Sequence, residues 1–265
     1  MIPIGDSPKS RTMPWVNYTL IAINIAVFAY TLSLSAAAPS SRAEAARQFQ
    51  EQQAGICYGF PAGPTELDRF FCRWSFQPVE WFDTVRDESR TPGQNRLEVL
   101  LTIVTSTFVH GGWLHIIGNL LFLWVFGDNV EDRLGHFGYA VFYLLAGLTA
   151  ALTQGFIDME TAVPNVGASG AVAGVLGAYL VYYPKATVTT LVPVAIVLVP
   201  IPIPAVLMIG FWFLQNLLSG FATLSPDVGT PDSGVAFFAH IGGFVFGSLA
   251  VLLFLRGAGK RSRAR

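Results

Sequence analysis

Six apolar runs, separated by short polar breaks and one long polar segment, organise this chain. The first occupies residues 15–35 and the third residues 137–157. The second runs from 113 to 126 and continues into the polar stretch Gly127-Asp128-Asn129-Val130-Glu131-Asp132-Arg133. The fourth begins at Ser169 and ends near Tyr183, the fifth covers 205–221 and the sixth 235–255. Runs of this length and hydropathy predict bilayer-crossing helices. Residues 187–204 are also apolar, but Pro193, Pro200, Pro202 and Pro204 interrupt them, and a free-standing helix does not accept that. An interfacial or re-entrant stretch is expected there.

The fourth run departs from the rest. From Ser169 to Tyr183 a helix spans about 22 Å, against roughly 30 Å of hydrocarbon, so it is too short to reach both faces. With Lys185 at its water-side end, Ser169 lies several ångströms inside the bilayer. Irregular backbone is tolerated there only in a protein-lined, watered cavity. Gly167 and Gly170 leave no side chain beside Ser169, so backbone can approach and the first N–H groups of the helix stay available to an anion. A wet, buried serine suggests hydrolysis. Small residues at 169, 173 and 177 also form an ordinary helix-packing face, so this motif alone does not decide the matter.

Composition fixes the class. The chain has 265 residues, 52% of them hydrophobic and 12% charged, with a mean hydropathy of +0.51, which marks an integral membrane protein. Arg256, Lys260, Arg261, Arg263 and Arg265 form a tail without acidic residues, which places 256–265 in the cytoplasm. Six spans put residues 1–14 on the same side, and no small-residue cleavage site turns the first run into a signal peptide. The insertion at 37–112 and the loops at 158–167 and 222–234 then face outward. Within the insertion, residues 42–53 read as a solvated helix, while Trp74, Phe76, Trp81 and Phe82 suit a membrane–water interface. Cys57 and Cys72 pair as a disulfide if that face is oxidising and otherwise remain free thiols.

Ser169, His115 and His240 all begin helices that enter from the outer face, so three separate stretches bring polar side chains to one layer. Serine hydrolysis needs a base for the hydroxyl proton and donors for the oxyanion. His240 is the candidate base. It shares a helix face with Gly243 and Gly247, which lets that helix press on the face of Ser169, Ala173 and Gly177. His115 and Asn119, four apart, can complete an oxyanion hole with the Ser169 N–H. A metal is not expected, since neither a third ligand at suitable spacing nor an H-E-x-x-H signature is present. Nor is a carboxylate obviously placed to orient His240, so a dyad is read rather than a triad.

The segments His110-Gly111-Gly112-Trp113-Leu114-His115-Ile116-Ile117-Gly118-Asn119, Gly167-Ala168-Ser169-Gly170 and Ala239-His240-Ile241-Gly242-Gly243 resemble those of rhomboid intramembrane serine proteases. Glu131-Asp132-Arg133-Leu134-Gly135 after the second span agrees, and the resemblance covers about 100–255. It implies an all-α, six-transmembrane-helix bundle at 15–255, with the 37–112 insertion half-embedded at the outer leaflet. It further implies Ser169 as nucleophile, His240 as base, and His115, Asn119 and the Ser169 N–H around the oxyanion, supported by Gly167, Gly170 and His110. The expected partners are transmembrane protein substrates and the lipid bilayer, with no nucleic acid, metal or other cofactor. The expected site is the plasma membrane, with both termini cytoplasmic and the active site opening to the extracytoplasmic side. Two features depart from the family pattern. Leu101-Thr102 stand where many rhomboids carry Trp-Arg, and Ala173 stands where some carry a tyrosine stacked on the catalytic histidine. The competing readings are a non-catalytic rhomboid-fold protein that binds membrane clients and a transporter built on broken helices; no inverted repeat supports the latter.

Overall fold

A computed structural model describes residues 2–36, 65–86, 95–194, 196–224 and 235–263. The expected helix at 42–53 and Cys57 lie outside these described residues. The chain runs β1 (Ile2–Ser7), α1 (Trp15–Ala36), α2 (Glu66–Trp74), α3 (Pro78–Val85), α4 (Arg96–Thr105) and α5 (Trp113–Leu134). It continues through α6 (His136–Ile157), α7 (Ser169–Tyr182), β2 (Thr187–Val194), β3 (Val197–Pro204), α8 (Ala205–Thr223) and α9 (Phe237–Arg263). Among the described residues, four helical segments, Trp15–Ser35, Trp113–Leu134, His136–Ile157 and Ala205–Thr223, are long and apolar enough to cross a membrane; Ser169–Tyr182 and Phe237–Leu253 are shorter apolar helices.

The fold is mostly helical, and the all-α expectation is corrected by a three-stranded antiparallel sheet in the order β1-β2-β3. Its ladders run from Ile2↔Leu191 to Ser7↔Thr187 and from Thr187↔Pro204 to Val194↔Val197. The prolines that exclude a helix at 187–204 suit this arrangement. Pro200, Pro202 and Pro204 recur at the strand period, so their missing N–H groups all fall on one edge of β3 while β2 pairs the other. Pro193 lies in β2 beyond the last residue that β1 pairs.

The turn between α5 and α6 ties the amino-terminal segment to the bundle. Glu131, fully buried, accepts hydrogen bonds from the backbone N–H groups of Val16 and Asn17 at 3.0 and 2.7 Å, which caps the start of α1. Asp132 accepts from the Thr12 N–H and hydroxyl. Arg133 donates to the Tyr183 hydroxyl and lies over the rings of Tyr182 and Tyr183. Gly135, at φ 71°, adopts the left-handed conformation that ends α5 with its N–H on the Glu131 carbonyl. Within α5 a π segment covers Leu123–Gly127, and Asn17 Nδ2 donates to the Leu123 carbonyl at 2.9 Å.

Helix α7 is the centre of the molecule: every residue from Gly170 to Tyr179 is buried, as an all-apolar helix requires. Its glycines let two neighbours approach to backbone contact. A Cβ at Gly170 or Gly174 would overlap Ala150 or Ala146 on α6, and one at Gly243 or Gly247 on α9 would overlap the carbonyl of Gly170 or Gly174. The predicted α7–α9 contact is therefore present, carried on α7 by residues 170, 174 and 177 rather than by 169, 173 and 177.

The insertion's aromatics form a core of their own. Phe76 and Phe82 are buried, Phe82 packs on Phe156 at 5.2 Å, and a Cβ at Gly155 of α6 would crowd both rings. These two side chains therefore face α6 rather than outward. In place of the Trp-Arg pair, the Trp81 indole donates to the Leu100 carbonyl at 3.2 Å, Arg73 pairs with Glu98 at 2.9 Å, and Thr105 donates to the Trp74 carbonyl at 2.9 Å. Cys72 is buried and disulfide-bonded.

Candidate active site

Three helix starts meet at one cavity. Ser169 opens α7, His240 lies in the first turn of α9 and His115 in the first turn of α5. Together they line a cavity of about 730 Å³ whose remaining walls are Gly111–Leu114, Val166, Val235 and Ala236. Among the described residues no group of three or more His, Cys, Asp or Glu side chains could hold a metal ion.

Ser169 is positioned by the turn before it. Gly167 has φ 117°, a conformation that disfavours any side chain, and a Cβ there would overlap Nε2 of His115. The backbone of this turn thus lies directly against the His115 ring. Its N–H groups are fixed from behind, that of Gly167 donating to the Ser106 carbonyl at 2.9 Å and that of Ala168 to His110 Nε2 at 3.5 Å. His110 is 1% exposed and meets His115 edge-on at 5.1 Å. Burial, with the neighbouring His115 ring adding to it, pushes the His110 pKa down to about 4, so it stays the neutral acceptor that the Ala168 N–H requires. The Ser169 N–H belongs to the first helical turn, where no intrahelical acceptor exists.

The other predicted residues divide. Asn119 lies one turn beyond His115, is buried, and donates from Nδ2 to the His115 carbonyl at 2.9 Å, which uses one of its two amide hydrogens. It does not line the cavity. Gly170 lies behind Ser169, between α6 and α9.

His240 has partners that sequence reasoning missed. Its Nδ1 is 2.6 Å from Oδ1 of Asn216 on α8, and the Trp212 ring lies over it at 5.6 Å with an interplanar angle of 36°. Ala173, where some rhomboids stack a tyrosine on the histidine, is fully buried; here the ring comes from α8. The backbone beside His240 is held by the Ala239 N–H, which donates to Gln154 Oε1 at 3.2 Å. The available signal was Trp212 and Asn216 spaced one turn apart, an aromatic and an amide on one face of a largely apolar helix.

Trp212 also contacts Phe122 of α5, with ring centroids 6.5 Å apart. Beside this contact an apolar cavity of about 360 Å³ opens between α5 and α8, lined by Pro3, Phe122, Ile203, Leu207, Phe211 and Trp212 among others. Phe211 is mostly exposed, and Phe213 stacks on Phe244 of α9 at 4.3 Å.

The family profile of the Rhomboid domain matches residues 98–257. The chain is 46% identical over 71 residues to Rhomboid-like protein 11, chloroplastic, of Arabidopsis thaliana, covering 27% of this chain and 25% of that one. It is 26% identical over 265 residues to RHOMBOID-like protein 1 of the same plant, covering 94% of this chain and 55% of the relative. Rhomboid protease AarA of Providencia stuartii is 29% identical over 164 residues, covering 57% of this chain and 54% of that protein. The chain thus spans between about a quarter and about half the length of these relatives. With the domain profile covering more than half of its residues, including Ser169, His115 and His240, the chain belongs to the rhomboid family.

Proposed function

We propose that the chain is an intramembrane serine endopeptidase that cleaves transmembrane segments of membrane proteins. The observation that carries this reading is the single cavity shared by Ser169, His240 and His115, which lie on three helices far apart in sequence. His240 Nε2 takes the Ser169 hydroxyl proton as Oγ attacks the scissile carbonyl, and the resulting imidazolium returns that proton to the leaving amine. Water, deprotonated by the same imidazole, then attacks the acyl-enzyme ester and releases the new carboxyl end while Oγ regains its proton. The oxyanion is held by the Ser169 N–H, the His115 ring and the remaining Asn119 amide hydrogen. No step calls for a metal, a nucleotide or another cofactor. Helical substrate hides its carbonyls in internal hydrogen bonds, so cleavage selects segments that unwind near the outer end of their span.

In this reading all six apolar helices, the two shorter ones included, form the transmembrane bundle at 15–255. Both termini lie in the cytoplasm of a plasma-membrane protein, and the cavity opens to the extracytoplasmic side. The disulfide at Cys72 supports that orientation, since such bonds persist in oxidising compartments. The test is cleavage of a model transmembrane substrate in liposomes by wild type and by Ser169→Ala. Cleavage by wild type alone supports the proposal. Substrate binding without cleavage by either protein would instead favour a non-catalytic client-binding role.

A further inference from the structure

The geometry points to Asn216 as the positioning residue of His240: its amide oxygen holds the imidazole in the Nδ1–H tautomer and aims Nε2 at Ser169. This inference rests on the serine protease reading and adds a third member to the dyad.

The amide's orientation follows from chemistry. Asn216 Nδ2 donates to the Trp212 carbonyl at 2.8 Å, four residues back on α8. A carbonyl only accepts, so the nitrogen end of the amide must face it, and the oxygen end faces His240. That oxygen also only accepts. Across a 2.6 Å contact the hydrogen must therefore sit on His240 Nδ1, and a neutral imidazole protonated there carries its lone pair on Nε2. Nε2 is the atom a general base uses toward a serine when its other nitrogen is held. Asn216 is 7% exposed, so water competes poorly for the contact, and Trp212 over the ring restricts tilting. Anchor, orienting oxygen and covering ring thus come from one turn of one helix, α8, which carries no other part of the reacting set. Among the described residues, the group that holds His240 Nδ1 is this uncharged amide rather than a carboxylate.

The experiment compares wild type with Asn216→Ala, Asn216→Leu and Asn216→Asp in detergent, each checked for unchanged melting. Histidine 15N spectra, with His240 assigned by its loss in His240→Ala, should show Nδ1–H in wild type and loss of that single tautomer in Asn216→Ala and Asn216→Leu. In turnover of a transmembrane substrate, Ala and Leu substitution should lower kcat by about 10–100-fold with KM unchanged. Asn216→Asp, which keeps an acceptor toward Nδ1 but loses the N–H that anchors it to the Trp212 carbonyl, should recover part of the rate. A purely space-filling role would be rescued by Leu rather than by Asp. Rescue by Leu, unchanged kcat in Asn216→Ala, or an Nε2–H tautomer in wild type would each overturn the inference. If wild type cleaves nothing, the protease reading fails, while the spectra still decide which nitrogen Asn216 holds.

Discussion

Substitution of Gly243 by alanine should separate the two reacting groups without touching either. The added methyl group points at the Gly170 carbonyl, which is backbone and cannot swing aside. Carbon and oxygen need more than 3 Å between them, so α7 and α9 must part by about 1 Å at that level. Overpacking of this kind costs about 1–3 kcal/mol, offset by about 1 kcal/mol of helix propensity gained when glycine is replaced, leaving a net loss of about 0–2 kcal/mol. The chemical cost is larger. Gly170 follows Ser169 directly and His240 lies one turn before Gly243, so the wedge sits between hydroxyl and imidazole, and a displacement of this size costs about 100-fold in rate. The assay is kcat and KM on a reconstituted transmembrane substrate together with thermal melting. Gly118→Ala and Gly210→Ala serve as controls, since a Cβ at either meets nothing within 4 Å; both should keep wild-type kcat and melt no lower. Gly243→Ala within about threefold of wild-type kcat, or Gly118→Ala equally damaging, would refute the claim that backbone contact at this level sets the Ser169–His240 geometry.

The amino-terminal strand should respond to pH. Burial, with Asp128 adding to it and the Tyr179 hydroxyl and Lys9 opposing, pushes the Asp6 carboxyl up to about 6, and Asp6 accepts from Asn129 Nδ2 at 2.7 Å and from Tyr179 at 2.6 Å. A raised carboxyl pKa means the folded state binds the proton more tightly, so this contribution is greatest in acid and declines as pH rises through about 6. Asp6→Asn, which keeps an acceptor oxygen without the charge, should raise the melting temperature at pH 7.5 and flatten its dependence between pH 4.5 and 7.5; an unchanged slope would contradict this. Phe122→Ala removes the ring that meets Trp212. If that contact closes the route between α5 and α8, cleavage of a transmembrane substrate should speed up while a soluble, unfolded substrate is cleaved at its former rate, and an equal response of both would exclude gating there. His115→Ala and Asn119→Ala should each lower kcat by about 10²–10³-fold, whereas an effect confined to KM would remove them from the oxyanion site.

The parts of this fold legible in sequence are those written in hydropathy and spacing. Apolar runs marked the helices, and Ser169, His115 and His240 stood out because each is a polar residue opening one of them. The sheet was missed because the prolines at 200, 202 and 204 were read for what they exclude, a helix, rather than for their period of two, which belongs to an edge strand. Phe76 and Phe82 were read by residue type as interfacial, yet Gly155 gives them a recess on α6, and nothing local to the insertion reveals that. For a related reason Asn216, one turn from Trp212, gave only a weak signal. One of two adjacent amides in a largely apolar helix, 24 residues before His240, it acquires meaning only when α8 and α9 pack side by side.

The most direct test of the central claim is covalent capture of the nucleophile. Wild-type protein treated with a fluorophosphonate should take up one phosphonyl group per chain, and peptide mass spectrometry should locate it on Ser169. His240→Ala should abolish the labelling with folding intact, because an unassisted serine hydroxyl is a weak nucleophile. Labelling at another residue, or undiminished labelling of Ser169 in His240→Ala, would contradict the account.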